Sequence, residues 1–247
     1  MPGVGRVMRH ARRILLAAAI VVVLAGAISV SHFAAARTEP INYLLPWAAG
    51  EANRHSVLQG VYIVDADGAC SSGCATHGDD GQHFAWDFDL PEGTDVLAAR
   101  GGTVGLVADS WPAGHCGGLT PIDNPPPGYL VSPVMGNQGN LVRIDHGDGT
   151  SALYLHLSEV SDDIAAKART GGRVVQGEVL GRSGRTGLTQ CRPHLHFQVE
   201  TTVRADWFTE SLPIAFADRD VIAQAPDGVP VEGASYVSDN VPVGTSG

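Results

Sequence analysis

The stretch Pro193-His194-Leu195-His196-Phe197 alternates imidazoles with large apolar side chains. In a β-strand successive side chains point to opposite faces, so His194 and His196 share one face while Leu195 and Phe197 turn toward a core. The pattern occurs twice more upstream. Tyr154-Leu155-His156-Leu157 sets Tyr154 and His156 against Leu153, Leu155 and Leu157, and His83-Phe84-Ala85-Trp86-Asp87 sets His83 and Asp87 against Phe84, Trp86 and Phe88. Three apolar strands that offer His, Asp and His to one surface carry the donor set of a zinc site. A lone strand histidine is usually solvated or hydrogen-bonded; this conjunction of three segments is more than a fold alone requires.

Around these segments the chain reads as strand and turn from Val61 to about Thr202. Expected strands cover Val61–Val64, Ala85–Asp89, Val96–Ala99, Thr103–Ala108, Leu141–Asp145, Ala152–Leu157, Val174–Val175, Val179–Gly181 and His194–Glu200. Asp145-His146-Gly147-Asp148-Gly149-Thr150 supplies the turn residues of a hairpin, which makes the sheet antiparallel. Asp109 to Gly139 is a long loop whose Pro125-Pro126-Pro127 run cannot lie in a central strand, and such loops often line a groove. The best helix candidate is Ser158 to Ala168, with Asp162 and Asp163 near its start. Residues 37–60 read as a lead-in that packs on the domain, 61–205 as the domain, and 206–247 as an extension whose last ten or so residues are disordered. With 247 residues, 31 glycines, 15 prolines and 17% charged residues, an all-β chain of short strands is the natural reading.

Residues 1–36 differ in character. Arg6, Arg9, Arg12 and Arg13 precede an apolar run from Ile14 to about Val30, and Ala34-Ala35-Ala36 follows, the pattern of an export signal that is either cleaved or kept as an N-terminal anchor. Without those four arginines the formal charge goes from −10 to −10 − 4 = −14, which disfavours nucleic acid as a partner. Four cysteines in an exported chain read first as disulfides, with three pairings open. Cys70-Ser-Ser-Gly-Cys74 can close on itself, which leaves Cys116 to tie the long loop to Cys191. Their spacing fits no usual zinc ribbon.

These motifs resemble the lysostaphin and LytM-like zinc endopeptidases of bacterial cell walls, whose signature is His-x-x-x-Asp, a Tyr-x-His-Leu segment and His-Leu-His-Phe. The resemblance covers about His77 to Glu200 and extends to Pro91–Arg100, Gly139–His146 and Gly177–Gly181. It implies an all-β, two-layer antiparallel sheet domain of the duplicated hybrid motif type, with long loops forming a groove. It also implies zinc ligands at His83, Asp87 and His196, a fourth position for water, and catalytic His156 and His194 beside the metal. One departure arises: relatives with an Ala-x-Asp-Phe stretch often carry the first ligand about ten residues before the aspartate, where His77 stands. Period two favours His83; His77 would have to reach back from Gly78-Asp79-Asp80-Gly81.

Other polar residues take ordinary roles. His55, His115 and His146 are expected in solvent, Asp89 either hydrogen-bonds a ligand imidazole or ends a strand in water, Asn140 holds a loop base or faces substrate, and Gly181–Gly187 forms a turn beside the groove. The function expected from the resemblance is that of an exported zinc endopeptidase, monomeric and acting on peptidoglycan peptides, secreted or in the cell envelope. The alternative is a non-catalytic peptidoglycan-binding module or an activator of another wall hydrolase. A lipoyl- or biotinyl-type carrier reading of Gly171–Gly181 fails on the export signal and on the missing lysine.

Overall fold

In a computed structural model the described residues are 43–61, 63–64, 70–72, 77, 81–109, 111–116, 131–132, 136–137, 139–202 and 209–243. Their strands are β1 (Arg54–Gln59), β2 (Ile63–Val64), β3 (Cys70–Ser72), β4 (Trp86–Phe88), β5 (Asp95–Leu97), β6 (Gly102–Ala108), β7 (Val131–Ser132) and β8 (Gly136–Asn137). The second half adds β9 (Asn140–Asp145), β10 (Thr150–Leu157), β11 (Glu159–Val160), β12 (Arg173–Val174), β13 (Val179–Arg182), β14 (Leu195–Thr201) and β15 (Ser235–Val237). Two short helices complete it, α1 (Asp162–Thr170) and α2 (Arg219–Gln224). The expected antiparallel, all-β architecture is what forms: an eight-stranded sheet in the order β12-β6-β9-β10-β14-β4-β1-β15, a three-stranded sheet β11-β13-β5, and two small hairpins.

One apolar cluster joins the two larger sheets. It takes Trp86, Phe88, Tyr154, Phe197 and Val199 from the large sheet and Val96, Leu180 and Val160 from the small one. Burying these side chains, each worth about 1.5–3 kcal/mol, is the main force that holds the layers together. The expected hairpin is present, with Ser151 paired to Asp145, His146 N–H donating to Thr150 O, and Gly147 and Gly149 at positive φ. Helix α1 starts four residues later than expected, because Ser161 is its N-cap, its Oγ accepting from Ile164 N–H. It ends at Gly171 in the left-handed conformation.

The flanks are more integral than the sequence suggests. Strand β1, from the lead-in, pairs with β4 on one side and with β15, from the extension, on the other. Tyr43, Leu45 and Trp47 enter the core. Asp218 is fully buried, where its carboxylate accepts from the N–H groups of Leu45 and Asp239, and burial pushes its pKa up to about 6. Asn240 is 1% exposed and donates to Leu45 O and Ala98 O, and Val243 N–H donates to Gly177 O. The expectation of a disordered end is therefore corrected for residues 238–243: backbone and side-chain hydrogen bonds tie them to the domain. Residues 244–247, the apolar run Ile14–Val30, and Trp207 and Phe208 lie outside the described residues.

Candidate metal centre

The site forms where β14 and β4 run side by side. His196 pairs with Asp87, while Phe197 pairs with Trp86 and Leu195 with Phe88. Residues opposite each other in an antiparallel pair share a face. The two polar side chains therefore meet on one side of the sheet while the apolar ones fill the core on the other, as the alternation predicts for these two strands.

Strand β10 departs from that prediction. Tyr154 pairs with Phe197 and lies in the core, its hydroxyl accepting from Ala99 N–H, whereas Leu155 pairs with His196 and lies on the site's face. The register between β10 and β9 slips between Leu155 and Leu157, and His156 sits at φ 67°. This is a β-bulge: one extra residue in a left-handed conformation re-aims its side chain, at a cost of about 1–3 kcal/mol. The imidazole that strict alternation would send into the core is thereby delivered to the cleft. Its Nδ1–H donates to Thr186 O at 2.9 Å. That carbonyl comes close because Gly139, at φ 78°, has no Cβ; one would sit 2.3 Å from it.

The first-ligand expectation for His83 is corrected. Strand β4 begins only at Trp86, so His83 falls in the preceding turn, where period two does not apply, and it is not in the cluster. The side chains that gather are His77, Asp87 and His196, each offering one ligand atom within 4.8 Å of the other two. Asp87 Oδ1 lies 3.3 Å from His77 Nε2 and 3.0 Å from His196 Nδ1, and Asp87 Oδ2 lies 3.6 Å from His194 Nε2. All four residues are buried.

This donor set fits a divalent cation. His77 Nδ1 faces Gly60 O at 3.4 Å, so its Nε2 turns toward Asp87, buried and without an aligned hydrogen bond. His196 Nε2–H donates to Gln198 Oε1 at 3.1 Å, so in the neutral ring the Nδ1 lone pair faces Asp87 Oδ1. Two lone pairs and a carboxylate aimed at one buried point repel unless a cation sits among them. Burial alone would raise the Asp87 carboxyl, but the surrounding imidazoles of His194, His77 and His196 outweigh it and hold it well below the usual range. At His77 burial disfavours the charged ring, and the Asp87 carboxylate more than compensates. His156 is pushed well below its ordinary value by burial, reinforced by His194 and His196, so it is neutral near pH 7.

Behind the cluster stand two residues that sequence reading missed. Gln198 Nε2 donates to Glu200 Oε2 at 3.0 Å, and the same carboxylate oxygen accepts from Thr209 N–H at 2.9 Å. Burial raises Glu200 to about 7. The signal was available, since His196, Gln198 and Glu200 stand at i, i+2 and i+4 of one strand and therefore share its ligand face. Such an outer chain fixes the ring of a metal-binding histidine and its tautomer. Gln198→Leu should therefore weaken zinc binding roughly 10–100-fold in chelator competition with the thermal unfolding midpoint little changed. Equal zinc affinity in the two proteins would remove Gln198 from that role.

The remaining candidates take lesser positions. Asp89 ends β4 half-exposed, where Oδ2 accepts from Ser56 Oγ. Asn140 holds a loop base, since its amide side chain bonds Trp111 N–H and O. His115 is exposed in its loop, as expected, with its ring against Trp111, whereas His55 and His146 are half-buried against Trp47 and Tyr43. A disulfide joins Cys116 to Cys191 beside the cleft. The Cys70–Cys74 pairing falls outside the described residues.

The model of Peptidase family M23 matches residues 81–206. An uncharacterized metalloprotease of Haemophilus influenzae is 29% identical over 123 residues, 50% of this chain and 19% of the relative. The DD-carboxypeptidase/endopeptidase Mpg of Neisseria meningitidis is 31% identical over 116 residues, 47% of this chain and 19% of the relative. The chain thus spans about a fifth of the length of these relatives. Among solved structures, a complex of SpoIIIAH and SpoIIQ matches over 65% of this chain and 92% of the other, with 22% identity and a TM-score of 0.42. For LytU the figures are 70%, 87%, 22% and 0.36.

Proposed function

Since the chain belongs to peptidase family M23, we propose that it is an exported zinc-dependent endopeptidase that hydrolyses peptide bonds in bacterial cell-wall peptidoglycan. The observation that carries this reading is the convergence of His77, Asp87 and His196 with His156 and His194 in one cleft of about 560 Å³. His77, Asp87 and His196 would hold the metal; zinc there supplies a Lewis acid and lowers the pKa of a bound water toward neutrality. His156 keeps its proton on Nδ1, bound to Thr186 O, so its Nε2 lone pair is free to accept one. His194 Nδ1–H donates to Arg192 O at 2.9 Å, which turns Nε2 into the cleft, where, once it has taken up a proton, it can pass that proton to the leaving amine or donate to an oxyanion.

Export is supported by the segment 1–36 and by the Cys116–Cys191 disulfide, which suits an oxidising compartment. A secreted or envelope location and a monomer working on wall peptides complete the reading, with membrane contact only through an uncleaved N-terminal anchor. Among the described residues no helix is long and apolar enough to cross a membrane, and the apolar run lies outside them. The complete set of five site side chains favours hydrolysis over a purely wall-binding module or activator. Zinc-loaded protein incubated with purified sacculi should release peptide fragments whose masses, read by mass spectrometry, differ from untreated stem peptides by hydrolysis at an amide. Unchanged sacculi at full zinc occupancy would overturn the endopeptidase assignment.

A further inference from the structure

Apart from the metal and proton-handling side chains, the described cleft is lined mainly by uncharged residues, among them Leu58, Gln59, Leu155 and Thr189, and by a single cation, Arg192. Its side chain is 62% exposed, and the nearest carboxylate oxygen, Asp89 Oδ2, lies 3.9 Å away on a side chain that is itself 46% exposed. At that distance the pair is no hydrogen bond and is worth little in solvent. Six other described arginines are engaged more closely: Arg54, Arg100, Arg143, Arg182, Arg185 and Arg219 all reach a carboxylate oxygen at 2.6–3.3 Å.

The backbone that carries Arg192 is held in place. Gln190 and Cys191, neither a glycine, stand consecutively in the left-handed region at φ 50° and 63°. Surrounding structure must maintain such a pair. Here Cys191 is tied to Cys116, Arg192 N–H donates to Thr189 O at 3.0 Å, and Arg192 O takes the Nδ1–H of His194. The peptide unit that orients a proton-handling imidazole therefore also presents a guanidinium to the same cleft. The chain as a whole is acidic, at −10, so its general field repels anions and a carboxylate finds attraction only locally.

We infer that Arg192 is a substrate-reading residue, and that the cleft takes peptides with a free carboxylate near the scissile bond, gripped by the planar fork of the guanidinium. This rests on the hydrolase reading and narrows it to anionic peptides, in place of uncharged bridges. The carboxylate can be a C-terminal one or an acidic side chain, two sources with one chemistry.

The test uses the zinc-loaded full chain and a synthetic wall stem peptide in four forms: both carboxyls free, the terminal one amidated, the side-chain one amidated, and both amidated. Binding is measured by calorimetry, with hydrolysis followed in parallel. The wild type should bind the fully free form about 10-fold or more tightly than the doubly amidated one, a charge-assisted hydrogen bond's worth. The singly amidated forms identify which carboxyl is read. Arg192→Ala should bring all four forms within about 2-fold of one another, while leaving the backbone carbonyl that orients His194. Undiminished discrimination in Arg192→Ala, equal binding of all forms by the wild type, or no binding of any form would overturn the inference. Discrimination without hydrolysis would sink the hydrolase reading alone.

Discussion

Replacing His196 by alanine should remove both zinc binding and hydrolysis. His196 supplies one of three donors in a group whose ligand atoms lie within 4.8 Å of one another, and two donors do not make a stable site for the metal. The loss extends beyond one contact, because Gln198 Oε1 then loses its donor at 3.1 Å. The metal contributes several kcal/mol of transition-state stabilisation, so the rate on sacculi should fall by more than about 10³-fold. The fold should survive, since the core lies on the opposite face of β14 with Leu195, Phe197 and Val199. Metal analysis, thermal unfolding and sacculus digestion on one preparation check this; a folded variant that digests sacculi at the wild-type rate would refute it.

The second large effect separates the two candidates for the first ligand. His77→Ala should lose zinc and activity to the same extent as His196→Ala, because His77 is 4% exposed, aims Nε2 at Asp87 and touches the His196 ring at 5.2 Å between centroids. His83→Ala should keep one zinc and most activity, because His83 stands in the turn before β4. A dead His83 variant beside an active His77 variant would reverse the assignment and require the turn at residues 81–84 to rearrange when metal binds.

These two histidines mark where reading the sequence succeeds and where it stops. Alternation accounts for Asp87 and His196 meeting on one face, because β4 and β14 are regular where they pair. It does not hold at His83, because the alternation is carried back three residues before Trp86, where β4 begins. At β10 it assigns the right histidine to the cleft for the wrong reason. Tyr154 is a core residue, and His156 reaches the site only through the bulge that puts it at φ 67°. A non-glycine left-handed residue leaves no periodic trace, since its cost is covered by long-range partners such as Thr186 O.

The pairing of β15 with β1 at one end of the large sheet is illegible for a related reason. Strand β15 meets β1 across some 180 residues of chain, and nothing local in Ser235-Tyr236-Val237 announces the partner. Asp218 and Asn240 look like loop residues in sequence, yet each is buried and bridges the two ends of the domain. Gln198 and Glu200 were legible in principle, from the ligand face of a strand already recognised, and become meaningful only once the hydrogen bond from His196 is seen.

The central claim, a zinc ion held by His77, Asp87 and His196, is tested most directly by anomalous diffraction at the zinc absorption edge from crystals of the zinc-loaded chain. The account predicts one strong peak within bonding distance of His77, Asp87 and His196 and not of His83, His156 or His194. A peak ligated by His83, or zinc bound only away from Asp87 and His196, would contradict it.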